Sequence, residues 1–342
     1  MRAAFYEQFE GPIEIVDLPD PAPDADGVVV EVAASGLCRS DWHGWMGHDP
    51  DIALPHVPGH ELAGTVVAVG AAVERWAVGD RVTVPFAAGC GSCRECRSGN
   101  EQVCSGQYQP GFSGWGSFAE FVALRFADTN LVAIPPDLDA TTAAILGCRF
   151  ATAFRAVGAQ GRAGDGEHVV VFGAGGVGLS ATMIAKAQGS HVTAVDPDPA
   201  ARALASEVGA DVVIGDRTPG DIAEVTRGGA HLTIDAIGNP DVVAEALELL
   251  RPGGRHVQVG LLPGDPPAVP MGRLIGQELE IIGSHGMSAR DYPEMLDMIS
   301  DGRLRPGALI TRTIDLSALP WALSSMATRP HPGMTVIDRF DA

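Results

Sequence analysis

The stretch His168-Val169-Val170-Val171-Phe172-Gly173-Ala174-Gly175-Gly176-Val177-Gly178 decides the fold of this chain. Its apolar run reads as a strand buried on both faces, its glycines as a tight turn, and Leu179 to Gln188 as the helix that follows. The weakly polar run from Val169 to Ala185 is broken by glycines and falls short of the roughly 20 apolar residues a bilayer span needs. A G-x-G-x-x-G turn in this setting lets backbone approach a pyrophosphate, whose charge then meets the N-terminus of the helix. The next strand, His191 to Val195, ends at Asp196, 18 residues after Gly178, where a carboxylate meets the adenosine ribose hydroxyls. Gly173, Gly175, Gly176, Val177, Gly178 and Asp196 are therefore candidate dinucleotide contacts. Asp196 repels a 2′-phosphate, and neither Pro197 nor Asp198 offers a basic group to receive one, so NAD is expected over NADP.

Downstream the alternation continues. Helical patterns at Ala200 to Val208, Asp221 to Thr226 and Val242 to Leu250 alternate with strands at Asp211 to Ile214, His231 to Ala236 and Arg255 to Gly260. Leu279 to Gly283 closes the series, which implies an α/β, doubly wound parallel sheet. Upstream, residues 1 to about 150 are rich in Val, Gly and Pro, with strand-like runs at Gly27 to Ala34, Ala63 to Val69 and Arg81 to Val84. That half reads as mainly β.

The six cysteines add chemistry. Cys90, Cys93, Cys96 and Cys104 form a C-x2-C-x2-C-x7-C cluster, a spacing that suits a closed tetrahedral thiolate site for structural zinc. Arg94 and Arg97 stand inside the loop, placed to offset part of the thiolate charge. Disulfides are the competing reading, opposed by the length of the chain and a start, Met1-Arg2-Ala3-Ala4-Phe5-Tyr6-Glu7, without a signal-peptide pattern. Cys38, in Gly36-Leu37-Cys38-Arg39-Ser40-Asp41-Trp42-His43, and Cys148 lie apart, with His60 22 residues beyond the first and 88 before the second. A Cys2His set with one open position is the arrangement of a catalytic zinc, but separations this long carry no local geometric signal.

The string Gly59-His60-Glu61-x2-Gly64-x5-Gly70-x2-Val73 resembles the signature of the zinc-dependent alcohol dehydrogenases of the medium-chain dehydrogenase/reductase family. The four-cysteine loop, the glycine turn and the length match as well, so the resemblance covers nearly the whole chain. It implies a GroES-like catalytic domain over 1–150 and 287–342, with a structural-zinc lobe at about 89–105, and a Rossmann domain over 151–286. It makes Cys38, His60 and Cys148 the catalytic zinc ligands, with Ser40 and His43 as the proton relay from the substrate oxygen through the cofactor ribose. Asp41 becomes the carboxylate that orients His60, and Glu61 a neighbouring acid. Arg39 resembles a pyrophosphate contact, Thr152 a nicotinamide contact, and Arg202 stands one residue past the position where relatives place an adenine-side basic group. One departure is Gly333-Met334, where relatives often carry Gly-Arg, leaving Arg149 and Arg339 as unplaced candidates to compensate.

The expected reaction is hydride transfer between an alcohol and NAD, giving an aldehyde or ketone. Trp42, Trp45, Met46 and Trp115 are candidate walls of an apolar pocket, favouring apolar or aromatic substrates over polyols. Polyol or amino-alcohol oxidation, carbonyl or enoyl reduction, and a non-catalytic dinucleotide-binding role stand as alternatives. A net charge of −20, with Lys186 the sole lysine, argues against nucleic acid or anionic membrane as partner. The expected setting is the cytoplasm, and the resemblance implies a homodimer or homotetramer.

Overall fold

The computed structural model describes residues 1–215, 219–262 and 266–341. The chain divides into two units: Met1–Ala151 with Gly286–Leu296 and Ile310–Ala342, and Thr152–His285 with Asp297–Leu309. The segment 297–309 groups with the second unit, whereas the resemblance implies that all of 287–342 returns to the first. Arg305 N–H donates to Met183 Sδ at 3.4 Å there, and Leu304 and Leu309 are buried.

The first unit is built on a seven-stranded sheet. Its order is Ile310–Asp315, Met334–Arg339, Val28–Leu37, Glu61–Val69, Arg81–Thr83 and Val132–Ala133, and Phe121–Leu124 also pairs with Val28–Leu37. All pairings are antiparallel except that of Ile310–Asp315 with Met334–Arg339. Alternating apolar residues of these strands, among them Val30, Leu62, Val82 and Val122, enclose one core with Phe118 and Leu124. Each such side chain contributes about 1.5–3 kcal/mol on full burial, which holds the long central strands in register. The segment Gly116 to Glu120 before Phe121–Leu124 bridges Ala119 to Ala3 and bonds its backbone to Arg2, Ala4, Val32 and residues 57–59, and the paired strand itself starts at Phe121.

The second unit is a six-stranded parallel sheet in the order Val212–Ile214, His191–Val195, His168–Phe172, Ala230–Asp235, Leu250–Gln258, Glu280–Gly283. Numbered along the chain this is 3-2-1-4-5-6, the doubly wound order whose reversal lies beside the first strand. Asp198 and Asn239 cap Pro199–Glu207 and Pro240–Glu248, each carboxylate or amide oxygen accepting from the backbone two residues on. The helix read over Val242 to Leu250 stops at Glu248, because Leu250 already starts a strand. That strand carries Pro252, which lacks an N–H, and Gly253 at φ +71, and its register shifts there against Ala230–Asp235.

Candidate active site and its metal ligands

Three elements of the first unit deliver the candidate ligands. Cys38 stands between the strand Val28–Leu37 and the short helix Arg39–Trp45, which it caps, His60 immediately precedes the strand Glu61–Val69, and Cys148 lies in a widened π turn, Leu146–Phe150. That turn is fixed by Phe86 N–H on Gly147 O at 2.9 Å and Tyr292 O–H on Leu146 O at 3.0 Å. One donor atom each from Cys38, His60, Glu61 and Cys148 lies within 4.8 Å of all the others. The donor set required by a zinc ion with an exchangeable position therefore comes together from parts of the chain far apart in sequence.

Asp41, buried at 2 % exposure, is the hub beneath it. One oxygen accepts from Cys38 N–H at 2.9 Å; the other accepts from His60 Nδ1–H at 2.8 Å and Gly59 N–H at 3.2 Å. A carboxylate facing Nδ1 fixes the proton there and leaves the Nε2 lone pair toward the sulfurs. Among the described residues, that buried Nε2 has no hydrogen-bond partner. An orphaned acceptor between two cysteine sulfurs is what a soft divalent cation such as zinc completes, so the residues fit the metal. The Cys38 thiol is held well below its usual range, chiefly by the hydrogen bond from Cys148 and then by His60 and Arg149, which favours the thiolate a metal needs. Phe86 and Phe112 pack their rings 6.1 and 5.1 Å from the His60 ring, two site neighbours that no sequence motif marked.

The helix Arg39–Trp45 places the other candidates. Ser40 Oγ lies 3.8 Å from Cys38 Sγ, and His43, three residues on, shares that helix face. Gly47, at φ +75, turns the chain back so that His48 N–H donates to His43 O and the two imidazoles meet Nδ1 to Nδ1 at 2.9 Å. His48 went unread in the sequence, since a contact five residues away through a left-handed turn has no motif. Burial, then Arg39 and His48, hold the His43 proton below the usual histidine range. The exposed Arg39 guanidinium stacks 4.5 Å over the Trp42 ring. Trp42 and Trp45 pack against the sheet core; Trp45 bonds its indole N–H to Gly11 O, while Met46 is half-buried. Trp115 is 39 % exposed, meets Phe5 edge-on and donates to Pro55 O.

Glu61 and Arg149 form a buried ion pair. Arg149 N–H and Nε–H both donate to Glu61 Oε1 at 2.9 Å, and Nη2 donates to Oε2. Removing one partner of such a pair costs about 3–5 kcal/mol, because the other charge stays buried alone. Arg149 is thus engaged inside the first unit, while Arg339 pairs with Asp338 at 3.4 Å and Asp315 at 4.0 Å.

The second cluster is equally compact. None of the six cysteines is in a disulfide, and the sulfurs of Cys90, Cys93, Cys96 and Cys104 lie mutually within 4.8 Å. Backbone N–H groups of Cys90 and Gly106 point at Cys104 Sγ and that of Cys96 at Cys93 Sγ, at 3.3–3.4 Å, as thiolate ligands require. Arg94 and Arg97 lie exposed on the turn Arg94–Arg97.

In the second unit, Gly173 has φ +92, and a Cβ on Gly178 would collide with Gly173 O, so both positions require glycine. Gly175 starts the helix Gly176–Ala187, with Val177 in its first turn. Asp196 accepts from Ala174 N–H at 2.7 Å and Asp198 N–H at 2.8 Å, which ties its carboxylate to the glycine turn. Arg202 bonds the carbonyls of Asp196 and Pro197 at 2.8 and 2.9 Å, beside that carboxylate. Thr152 Oγ1 is buried without a partner among the described residues, an orphaned hydroxyl compatible with a bound cofactor. No helix among the described residues is long and apolar enough to cross a membrane.

Residues 24–136 match the family described as "Alcohol dehydrogenase GroES-like domain" and residues 176–301 the one described as "Zinc-binding dehydrogenase". The chain is 34% identical to an alcohol dehydrogenase of Geobacillus stearothermophilus over 310 residues, 89% of this chain and 90% of that one. It is 35% identical to an alcohol dehydrogenase of Rhizobium meliloti over 309 residues, 89% of each. Among solved structures, the alcohol dehydrogenase TADH from Thermus sp. ATN1 aligns with a TM-score of 0.90 at 28% identity, covering 99% of this chain and 100% of that chain. The RspB dehydrogenase from E. coli CFT073, complexed with NADH, aligns at 0.89 and 29% identity, covering 99% of each. With a Cys2His donor set, a four-cysteine cluster and a glycine turn all in place, the chain belongs to the zinc-type alcohol dehydrogenases of the medium-chain dehydrogenase/reductase family.

Proposed function

We propose that the protein oxidises an alcohol to an aldehyde or ketone with NAD, and catalyses the reverse reduction. When bound, zinc supplies Lewis acidity toward the substrate oxygen and the nicotinamide accepts or returns hydride. Cys38, His60 and Cys148 hold the metal, and Asp41 keeps His60 in the ligating tautomer. Ser40 exchanges the proton at the substrate oxygen, and His43 carries it onward, with His48 next in line at the surface. Cys90, Cys93, Cys96 and Cys104 hold a second, structural zinc. Gly173 to Gly178 cradle the pyrophosphate, Arg39 reaches it, Asp196 binds the ribose hydroxyls with Arg202 beside it, and Thr152 contacts the nicotinamide. Trp42, Trp45, Met46 and Trp115 belong to an apolar substrate pocket, and apolar or aromatic alcohols are the proposed substrates. A homotetramer or homodimer is the proposed assembly.

The observation that carries this reading is the convergence of Cys38, His60 and Cys148 around an unpartnered Nε2. The test is an NAD-coupled screen over alcohols and carbonyl compounds, with metal measured on the same sample. About two zincs per chain, with turnover favouring NADH over NADPH, are expected. One zinc and no turnover on any alcohol or carbonyl would refute the assignment. Turnover with higher kcat/KM for NADPH would overturn the cofactor choice alone.

A further inference from the structure

Glu61 is a fourth donor beside Cys38, His60 and Cys148: one of its carboxylate oxygens lies within 4.8 Å of each of the other donor atoms. An ion held by all four has a closed tetrahedron and no corner left for a substrate. Arg149, adjacent to Cys148 in the π turn, occupies that carboxylate instead. Its Nε–H reaches Oε1 at 2.9 Å and Oε2 at 3.1 Å, its backbone N–H adds a bond to Oε1, and Nη2 takes Oε2. The fork matches the carboxylate in shape as well as charge, which a single ammonium does not.

The pair has nowhere else to turn. Glu61 is 0% and Arg149 6% exposed. Gly36 lies directly opposite Glu61 in the neighbouring strand, and a Cβ there would run into Glu61 Oε2 and stand 2.9 Å from Arg149 Nη2. The backbone thus reserves the space in which the two side chains meet. Without the guanidinium, Glu61 would be a buried carboxylate next to a divalent cation, and coordination would be its nearest compensation.

We propose that Arg149 is a positioning residue that withholds Glu61 from the metal and so keeps the fourth coordination position open. This rests on Cys38, His60 and Cys148 being the ligands of an exchangeable site. The test uses the cobalt-substituted protein, with added imidazole as the probe and the visible spectrum as the readout; the four-cysteine site adds a background that imidazole leaves unchanged. In the unaltered protein imidazole shifts the spectrum. In Arg149→Met its apparent affinity falls at least tenfold, as Glu61 takes the vacant position, and in Arg149→Met/Glu61→Gln it returns to within threefold of the starting value. Should Arg149→Met fail to fold, Arg149→Lys carries the same comparison: it keeps the charge but engages one oxygen, and Glu61→Gln added to it must restore the lost affinity. If the unaltered cobalt protein ignores imidazole, the three-ligand reading fails and this proposal with it. If it responds and Arg149→Met responds equally, or Glu61→Gln restores nothing, Arg149 has no such role and the three-ligand reading stands.

Discussion

Asp41 shows how much one carboxylate decides at this site. It binds the backbone ahead of the helix it belongs to, the backbone before His60, and the His60 ring. Asp41→Asn exchanges an obligate acceptor for a group whose N–H2 can face Nδ1, which lets the ring turn its proton toward the sulfurs. The expected loss is roughly 10–100-fold in zinc affinity, read by competition with a chelator. Ser40→Ala should lower kcat by roughly 100-fold or more with zinc content unchanged, since in the proposed relay the hydroxyl moves a proton and holds no metal. Unaltered kcat would remove Ser40 from the relay. His43 is held below the usual histidine range by burial, by Arg39 and by His48, with Cys38 acting in the opposite sense. In the proposed relay it acts as a base and must be deprotonated, so activity is expected to survive to lower pH than an exposed histidine allows. His48→Ala removes a neighbour that opposes protonation and opens the ring to water, so the acid limb of the kcat profile moves to higher pH. A limb that stays or moves the other way contradicts the pairing.

At the scale of elements, the turn from Gly173 to Gly178 joins strand, loop and helix through contacts only glycine permits. Gly178→Ala sets a methyl against Gly173 O, so the loop must open or the helix shift, and the helix N-terminus leaves the place proposed for it at the pyrophosphate. NADH binding, measured by fluorescence titration, is expected to weaken at least tenfold, with metal content unchanged because all the candidate ligands belong to the first unit. Equal NADH affinity in the variant would show that the dinucleotide does not use this turn. The strands and helices of this unit were legible because a buried parallel strand reads as a short apolar run and a helix as a longer patterned one between turns, as His168–Phe172 and Pro199–Glu207 do. The π turn at Leu146–Phe150 was not, since it is held by Phe86 and Tyr292 from elsewhere in the chain.

Across the whole molecule, several histidines are kept neutral by folding. His56, His168, His231 and His256 are all lowered, in each case first by burial. His256, 0% exposed, shares hydrogen bonds with Thr233 Oγ1 and Gln258 Oε1. A histidine lowered in the native state takes up its proton first in the unfolded chain, so these groups cost nothing above the unfolded value near 6.5. Stability then declines as pH falls below about 6.5, until the native rings protonate in turn. Calorimetry at fixed ionic strength should therefore show Tm lower at acid than at neutral pH, with part of the difference lost in His256→Gln. A flat Tm through this range would mean these rings titrate alike in both states.

The doubly wound unit and the four-cysteine cluster are legible in the chain alone, because both rest on spacing within a few tens of residues: short apolar strands, patterned helices, a glycine turn and thiolates brought close by one loop. Resemblance, not spacing, singled out Cys38, His60 and Cys148, since no local rule links residues 22 and 88 positions apart. Only the tertiary structure brought these three side chains to one point, gave Arg149 to Glu61 and set His48 against His43. Those contacts depend on which strands pair and where a turn folds back, and that is settled by the burial of the whole core rather than by any one stretch of chain.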